Sequence, residues 1–118
     1  MKTILIIITS NPMKSHKPIE ALRLASLSSF GHPTSILIYK TAYALLSEPI
    51  EKFVNSEFIE QYFQVIIKNN VPLYFIHEKN NELSHFKKIH SSYQLTFLPL
   101  NWQQSCQLIE NSDKVFLF

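Results

Sequence analysis

The sequence predicts an α/β protein with a single Rossmann-like three-layer domain, in which a mostly parallel five-stranded sheet carries helices on both faces. Three observations lead to this prediction. Apolar runs alternate with helix-period segments along the 118 residues, and short polar loops separate them. The most apolar run, ILIII at residues 4–8, is typical of a strand buried on both faces. The length and the 46% hydrophobic content suit one domain over residues 1–118.

The first part of the chain predicts two strands joined by a helix. Residues 2–9 form the first strand, and the helix follows over residues 18–30. Pro18 suits the first turn of this helix, where its missing N–H group would have no partner. We expect Gly31 to end the helix in a left-handed conformation. Residues 35–39 then form the second strand.

The middle of the chain predicts helices and an excess of apolar surface. Residues 41–48 form a short helix or loop, and residues 56–69 form an amphipathic helix that Ser56 can cap. The apolar positions of this helix are Phe58, Ile59, Tyr62, Phe63, Ile66 and Ile67. Together with the nearby Tyr43, Leu45 and Leu46, they exceed what one sheet face needs, and this surplus predicts an oligomer interface.

The last part of the chain predicts three strands and two helices. These are a strand at 71–76, a short polar helix at 82–90, a strand at 93–98, a helix at 102–111 and a strand at 114–118. Asn101 can cap the helix at 102–111. Its inward side is predicted to carry Trp102, Cys106 and Ile109, which recur at helical spacing.

The composition excludes several classes of function. A net charge of +2 is too small to argue for direct nucleic-acid binding, and no apolar run is long enough to span a membrane. A single cysteine excludes an intramolecular disulfide and fits a reducing, cytoplasmic location. A single glycine excludes a P-loop, a dinucleotide-binding turn and a Gly-x-Ser-x-Gly elbow. We therefore expect no cofactor and no metal.

Several segments resemble the DsrE/DsrF-like family, which includes the small sulfur-relay subunits of the Tus and Dsr complexes. The resemblance covers nearly the whole chain, and its most specific segment is NSDKVFLF at residues 111–118. The other segments are Thr9-Ser10-Asn11-Pro12, Phe30-Gly31-His32, Ser35-Ile36-Leu37-Ile38-Tyr39, Ala42-Tyr43 and Asn70-Val71-Pro72-Leu73.

The resemblance implies a Rossmann-like domain that assembles into homo- or hetero-oligomers with DsrE-like subunits and moves sulfane sulfur, in tRNA thiolation or sulfur oxidation. In active members a cysteine at the end of the third strand carries the persulfide. This chain has Phe75-Ile76-His77-Glu78 there, with no cysteine. The resemblance thus implies a non-catalytic or accessory subunit. The alternative is a stand-alone small-ligand-binding or regulatory oligomer that keeps the fold without sulfur transfer.

The candidate ligand pocket lies at the carboxyl edge of the predicted sheet, where α/β proteins bind ligands. Its members are Asn11, His16, Tyr43, Ile76 and His77. If the two histidines converge, an enzyme or a metal site is a third possibility, whereas two solvated loop residues would carry no function. Cys106 is the candidate thiol, either a structural residue buried on the last helix or an exposed relay group.

Overall fold

Five parallel strands and one antiparallel strand form a single sheet. The structure, a computed structural model, describes residues 2–76, 86–90 and 93–118. The strands are β1 (Ile4–Ile8), β2 (Thr34–Ile38), β3 (Leu73–Ile76), β4 (Phe86–His90), β5 (Tyr93–Leu100) and β6 (Lys114–Leu117). Their order across the sheet is β4-β5-β3-β2-β1-β6, and β4 runs antiparallel to β5. The predicted α/β class with a mostly parallel sheet is confirmed.

Helices cover both faces of the sheet unequally. The α-helices of the described residues are α1 (Lys17–Ser28), α2 (Ala44–Ser47), α3 (Ile59–Lys68) and α4 (Trp102–Glu110). The helices α1 and α3 contribute to the main core together with alternate strand residues such as Ile6, Ile36 and Phe75. On the other face, Leu108 of α4 packs against a smaller cluster of Leu5, Leu37 and Ile76. Within the described residues, the second face therefore has a smaller buried core.

The helix predicted at residues 82–90 is wrong over its second half. Residues 86–90 form β4, which pairs with β5 from Phe86↔Phe97 to His90↔Tyr93, and residues 82–85 lie outside the described residues. Phe86 and Ile89 have helical spacing, but pairing with a neighbouring strand outweighs such a short local pattern. Two lysines in sequence are also usual in an edge strand, where charge discourages further pairing.

Two predicted helix ends differ from the structure. The helix α1 ends without a left-handed glycine, because the N–H groups of Gly31 and His32 both donate to the carbonyl of Ser28, at 3.1 and 2.9 Å. Ser56 does not cap α3. It begins a 3-10 turn that leads into the helix at Ile59, and neither of these starts has a side-chain cap.

The predicted cap of α4 is confirmed. Asn101 Oδ1 accepts a hydrogen bond from the backbone N–H of Gln104 at 2.8 Å, and Gln104 Oε1 accepts one from the Asn101 N–H at 2.9 Å. This reciprocal capping box satisfies two N–H groups that the helix itself cannot. Such a cap contributes about 1 kcal/mol, which matters for a helix of 9 residues.

The helices of the described ranges are all too short or too polar to cross a bilayer.

Candidate functional site

The carboxyl ends of β1, β2 and β3 meet at one edge of the sheet, and a cavity of about 230 Å³ opens there beneath α4. We call it the α4 cavity. Its walls are formed by Ile7, Thr9, Leu37, Tyr39, Ile76, Trp102, Ser105, Cys106, Ile109 and Leu117. Parallel α/β sheets bind their ligands at this edge, so the cavity is the candidate functional site.

The alternation of side chains along the strands determines which residues form the floor of the α4 cavity. Ile7 lies beside Leu37 of β2 on one side and beside Leu117 of β6 on the other, so all three point to the same face. Above this floor, Tyr39 and Trp102 meet edge to face, with ring centroids 6.4 Å apart and planes at 65°. This aromatic pair joins the end of β2 to the first turn of α4.

The described walls of the α4 cavity are almost entirely apolar and carry no charged side chain. Two of their hydroxyls are already used within the protein. Thr9 Oγ1 donates to the carbonyl of Phe118 at 3.1 Å, and Ser105 Oγ donates to the carbonyl of Asn101 at 2.9 Å. The cavity is therefore suited to an apolar occupant, because an ion would lose its hydration there without gaining a partner.

Two of the predicted pocket residues come together at the end of β3. The hydroxyl of Tyr43 donates a hydrogen bond to the carbonyl of Ile76. The ring of Tyr43 also meets Phe75 edge to face, at 6.2 Å and 87°. Because the Ile76 side chain faces the α4 cavity while Tyr43 packs against the main core, this hydrogen bond links the two faces at the sheet edge.

Of the described pocket residues, Tyr43, Asn11 and His16 do not line the α4 cavity. Asn11 Oδ1 accepts from the backbone N–H of Met13 at 3.0 Å, which makes a local turn after β1. His16 is exposed directly before α1. His77 lies outside the described residues, so its convergence with His16 stays a prediction.

The face that α4 turns to the sheet differs from the predicted one. Ser105 is buried and Leu108 packs against the sheet, whereas Trp102 is 60% exposed and Ile109 39% exposed. The helix tolerates a serine inward because its hydroxyl bonds back to the Asn101 carbonyl one turn earlier. Cys106 is partly exposed on the wall of the α4 cavity, so a fully buried thiol is not what the structure shows.

Exposed apolar residues cluster around the α4 cavity. Trp102 and Ile109 of α4, together with Val115 and Leu117 of β6, are between 39% and 70% exposed. We call these four residues the α4–β6 surface. Of the residues around which an oligomer interface was predicted, Leu45, Leu46, Ile59, Phe63 and Ile66 are buried, whereas Phe58 is 51% and Ile67 38% exposed. An interface at the exposed residues of α3 stays a prediction.

Sequence reasoning missed the aromatic wall of the α4 cavity. Tyr39 follows β2 directly, and Trp102 opens α4 directly after β5 and Asn101. Both positions are at the carboxyl ends of predicted parallel strands, which is the signal that would have identified them. Leu117 was visible only as part of a final strand.

A larger depression, of about 660 Å³, lies at the opposite edge of the sheet. It is lined by the loops that follow α1 and α3 and by the amino ends of β1 and β2, including Phe30, His32 and Asn70. Parallel sheets do not normally place their chemistry at this edge, so size alone does not make it the site. No three His, Cys, Asp or Glu side chains of the described ranges come close enough to hold a metal ion.

The sheet order and the helices on both faces define a Rossmann-like α/β domain. A solved structure with this fold, the ychN protein from E. coli, matches over 100% of both chains with a TM-score of 0.67 and 17% sequence identity. That likeness supports a DsrE-like fold for this chain. No family model and no curated protein matches the sequence.

Proposed function

We propose that this chain is a non-catalytic, accessory subunit of the DsrE-like type, which binds and positions a thiol-bearing subunit of a sulfur-relay complex. The end of β3 is the observation that carries the proposal. The residue at this strand end is Ile76, which is only 4% exposed, and its carbonyl accepts a hydrogen bond from the hydroxyl of Tyr43. Nothing at this strand end within the described residues has the chemistry to accept sulfur, because that step needs an exposed thiolate.

Cys106 supports the proposal by its surroundings. Its thiol lies in an apolar wall, and no lysine or arginine of the described residues lines the α4 cavity to stabilise a thiolate. A relay thiol must capture sulfur, hold it and pass it on, and the described lining places no cationic side chain beside Cys106 to assist those steps.

The α4–β6 surface supports the accessory role. Its four apolar side chains lie at one end of the sheet, where β6 is the edge strand among the described strands. Exposed apolar surface of this kind is typical of contacts between subunits. We propose that DsrE-like subunits, in a homo- or hetero-oligomer in the cytoplasm, dock here.

Mass spectrometry after incubation with a persulfide donor tests the accessory role. We expect no stable adduct of about +32 Da, the mass of one captured sulfur atom, on Cys106. The Cys106→Ser variant is the matched control, since any adduct that survives in it comes from elsewhere. A stable adduct in the original chain that is absent from the variant would refute the non-catalytic role.

The α4 cavity favours a second candidate, a small-ligand-binding oligomer that retains the fold without sulfur transfer. An apolar cavity with a few polar groups at its rim is the usual form of a small-molecule site. Binding of a small molecule without a partner subunit would favour this candidate. Co-purification with a cysteine-bearing DsrE-like subunit would favour the accessory role.

A further inference from the structure

We propose that the α4 cavity binds a small, neutral, planar aromatic molecule about the size of indole, an inference that rests on the second candidate function. The α4 cavity combines an apolar floor, an edge-to-face aromatic pair and an uncharged lining at the ligand-binding edge of the sheet.

The volume sets the size of the ligand. An apolar cavity of about 150 Å³ stays dry and accommodates benzene, with its six carbon atoms. In proportion, about 230 Å³ accommodates about nine non-hydrogen atoms, which is the size of a fused two-ring system. Larger molecules would extend past the exposed rim residues Trp102 and Leu117 into solvent and would bury a smaller share of their surface.

The lining sets the chemistry of the ligand. Ile7, Leu37 and Ile76 present a flat aliphatic floor, because side chains on one face of a pleated sheet stand side by side. Tyr39 and Trp102 meet at 65° above that floor, so an inserted ring can pack against the face of one and the edge of the other. With no charged side chain in the described walls, a neutral ligand is favoured over an ion.

The chain carries its own reporter in the α4 cavity. Cys106 is the only cysteine, it is partly exposed, and it forms part of the cavity wall. Iodoacetamide alkylates such a thiol at sulfur and releases iodide, and the rate is followed by mass spectrometry. Indole is the probe, since it has the predicted size and no charge.

We expect indole to slow the alkylation of Cys106 in a saturable manner. The rate should fall by the factor 1 + [indole]/Kd, which is about elevenfold when indole is at ten times its Kd. An alkylation rate that does not change up to the solubility limit of indole would overturn the proposal.

A pair of matched variants tests whether the effect arises in the cavity. Ile109 lines the cavity and is 39% exposed, whereas Ile67 lies on α3, outside it, and is 38% exposed. Ile109→Phe should raise the Kd for indole about fivefold or more, because the added ring takes up cavity volume. Ile67→Phe should leave it unchanged. Equal losses in both variants, with circular dichroism showing both folded, would overturn the proposal.

Self-association is distinguished by repeating the alkylation at several protein concentrations. Protection that rises with protein concentration and ignores indole would show that a second subunit covers the cavity, and this would overturn the ligand proposal while supporting the accessory role. Capture of persulfide by Cys106 would refute the accessory role and would leave the indole result standing, so the two proposals can fail separately.

Discussion

Ile76 has two separate roles at the end of β3. Its side chain closes the floor of the α4 cavity, and its carbonyl accepts the hydroxyl of Tyr43 from the opposite face. Ile76 is the last paired residue of β3 and is buried, and a buried carbonyl without a hydrogen bond carries a desolvation cost. Tyr43 therefore stabilises the strand end that borders the site.

We predict that Tyr43→Phe lowers the free energy of unfolding by about 1 kcal/mol, because it removes one hydrogen bond and keeps the ring contact with Phe75. Urea unfolding followed by the fluorescence of Trp102 measures the change. Tyr62→Phe is the control, since Tyr62 packs against the core as another partly buried tyrosine and its hydroxyl has no bond to a described residue. Equal midpoints for both variants would contradict the prediction.

At the same scale, sequence reasoning found the edge of the sheet but not the walls of the cavity. Tyr43, Ile76 and Cys106 were selected because strand ends and thiols are visible in a sequence. Tyr39 and Trp102 were missed because only their meeting in space, at 6.4 Å, gives them a role. The inward face of α4 was mistaken for a similar reason, because an apolar pattern in 9 residues cannot show that Ser105 satisfies its own hydroxyl.

The strand β6 is attached to the sheet by a side-chain clamp as well as by its pairing with β1. Asp113 Oδ2 accepts from the backbone N–H of Thr3 at 2.7 Å and from its hydroxyl at 3.1 Å. The Thr3 carbonyl in turn accepts from the N–H groups of Asp113 and Lys114, both at 3.0 Å. The backbone hydrogen bond from Thr3, followed by the bond from its side chain, lowers the pKa of Asp113 below its ordinary value of 3.8.

The direction of this pKa shift predicts a pH dependence for β6. Since the pKa of Asp113 is lower in the folded state, its carboxylate stabilises the fold above pH 3.8, and this contribution disappears as the pH falls through the lower folded value. We expect Asp113→Asn to be less stable than the original chain at pH 7, and the difference to shrink at about pH 3.

Urea unfolding at the two pH values measures the effect of Asp113→Asn, and Glu110→Gln serves as an exposed carboxylate control on the neighbouring helix. A difference that stays constant between the two pH values would contradict the proposed clamp.

At the scale of elements, the strong patterns of the sequence predicted correctly. The five parallel strands, the helix at Ile59–Lys68 and the cap of α4 all follow from local composition and spacing. The strand β4 was not predicted. Its apolar residues Phe86 and Ile89 are three positions apart, and this spacing fits a helix as well as an edge strand. Its identity depends on the pairing with β5, which no local pattern contains.

For the whole molecule, the two faces of the sheet differ in how completely they are covered. The larger core of buried side chains lies beneath α1 and α3, whereas α4 is the one helix of the described ranges that packs on the other face, and it leaves the α4–β6 surface exposed. A sequence can show that apolar surface is in excess, but not which face carries it. For this reason the predicted interface includes core residues such as Leu45 and Phe63 together with the exposed Phe58 and Ile67.

We predict that Leu117→Lys weakens self-association about tenfold or more if subunits meet at the α4–β6 surface, because it introduces a charge among apolar contacts. Sedimentation velocity over a range of protein concentrations measures the association. Leu27→Lys is the matched control on α1, since Leu27 is 59% exposed and Leu117 70% exposed. Equal behaviour of both variants would show that subunits do not meet at this surface.

The pairing of β1 with β6 has a consequence for the newly made chain. Ile4 pairs with Lys114, so one edge of β1 acquires its partner only after about 110 further residues have been made. At roughly 5–20 residues per second, this edge waits on the order of 5–20 seconds on the ribosome. Charged residues and prolines protect strands from aggregating, and the segment ILIII contains neither. We therefore expect β1 to be prone to aggregation during that interval.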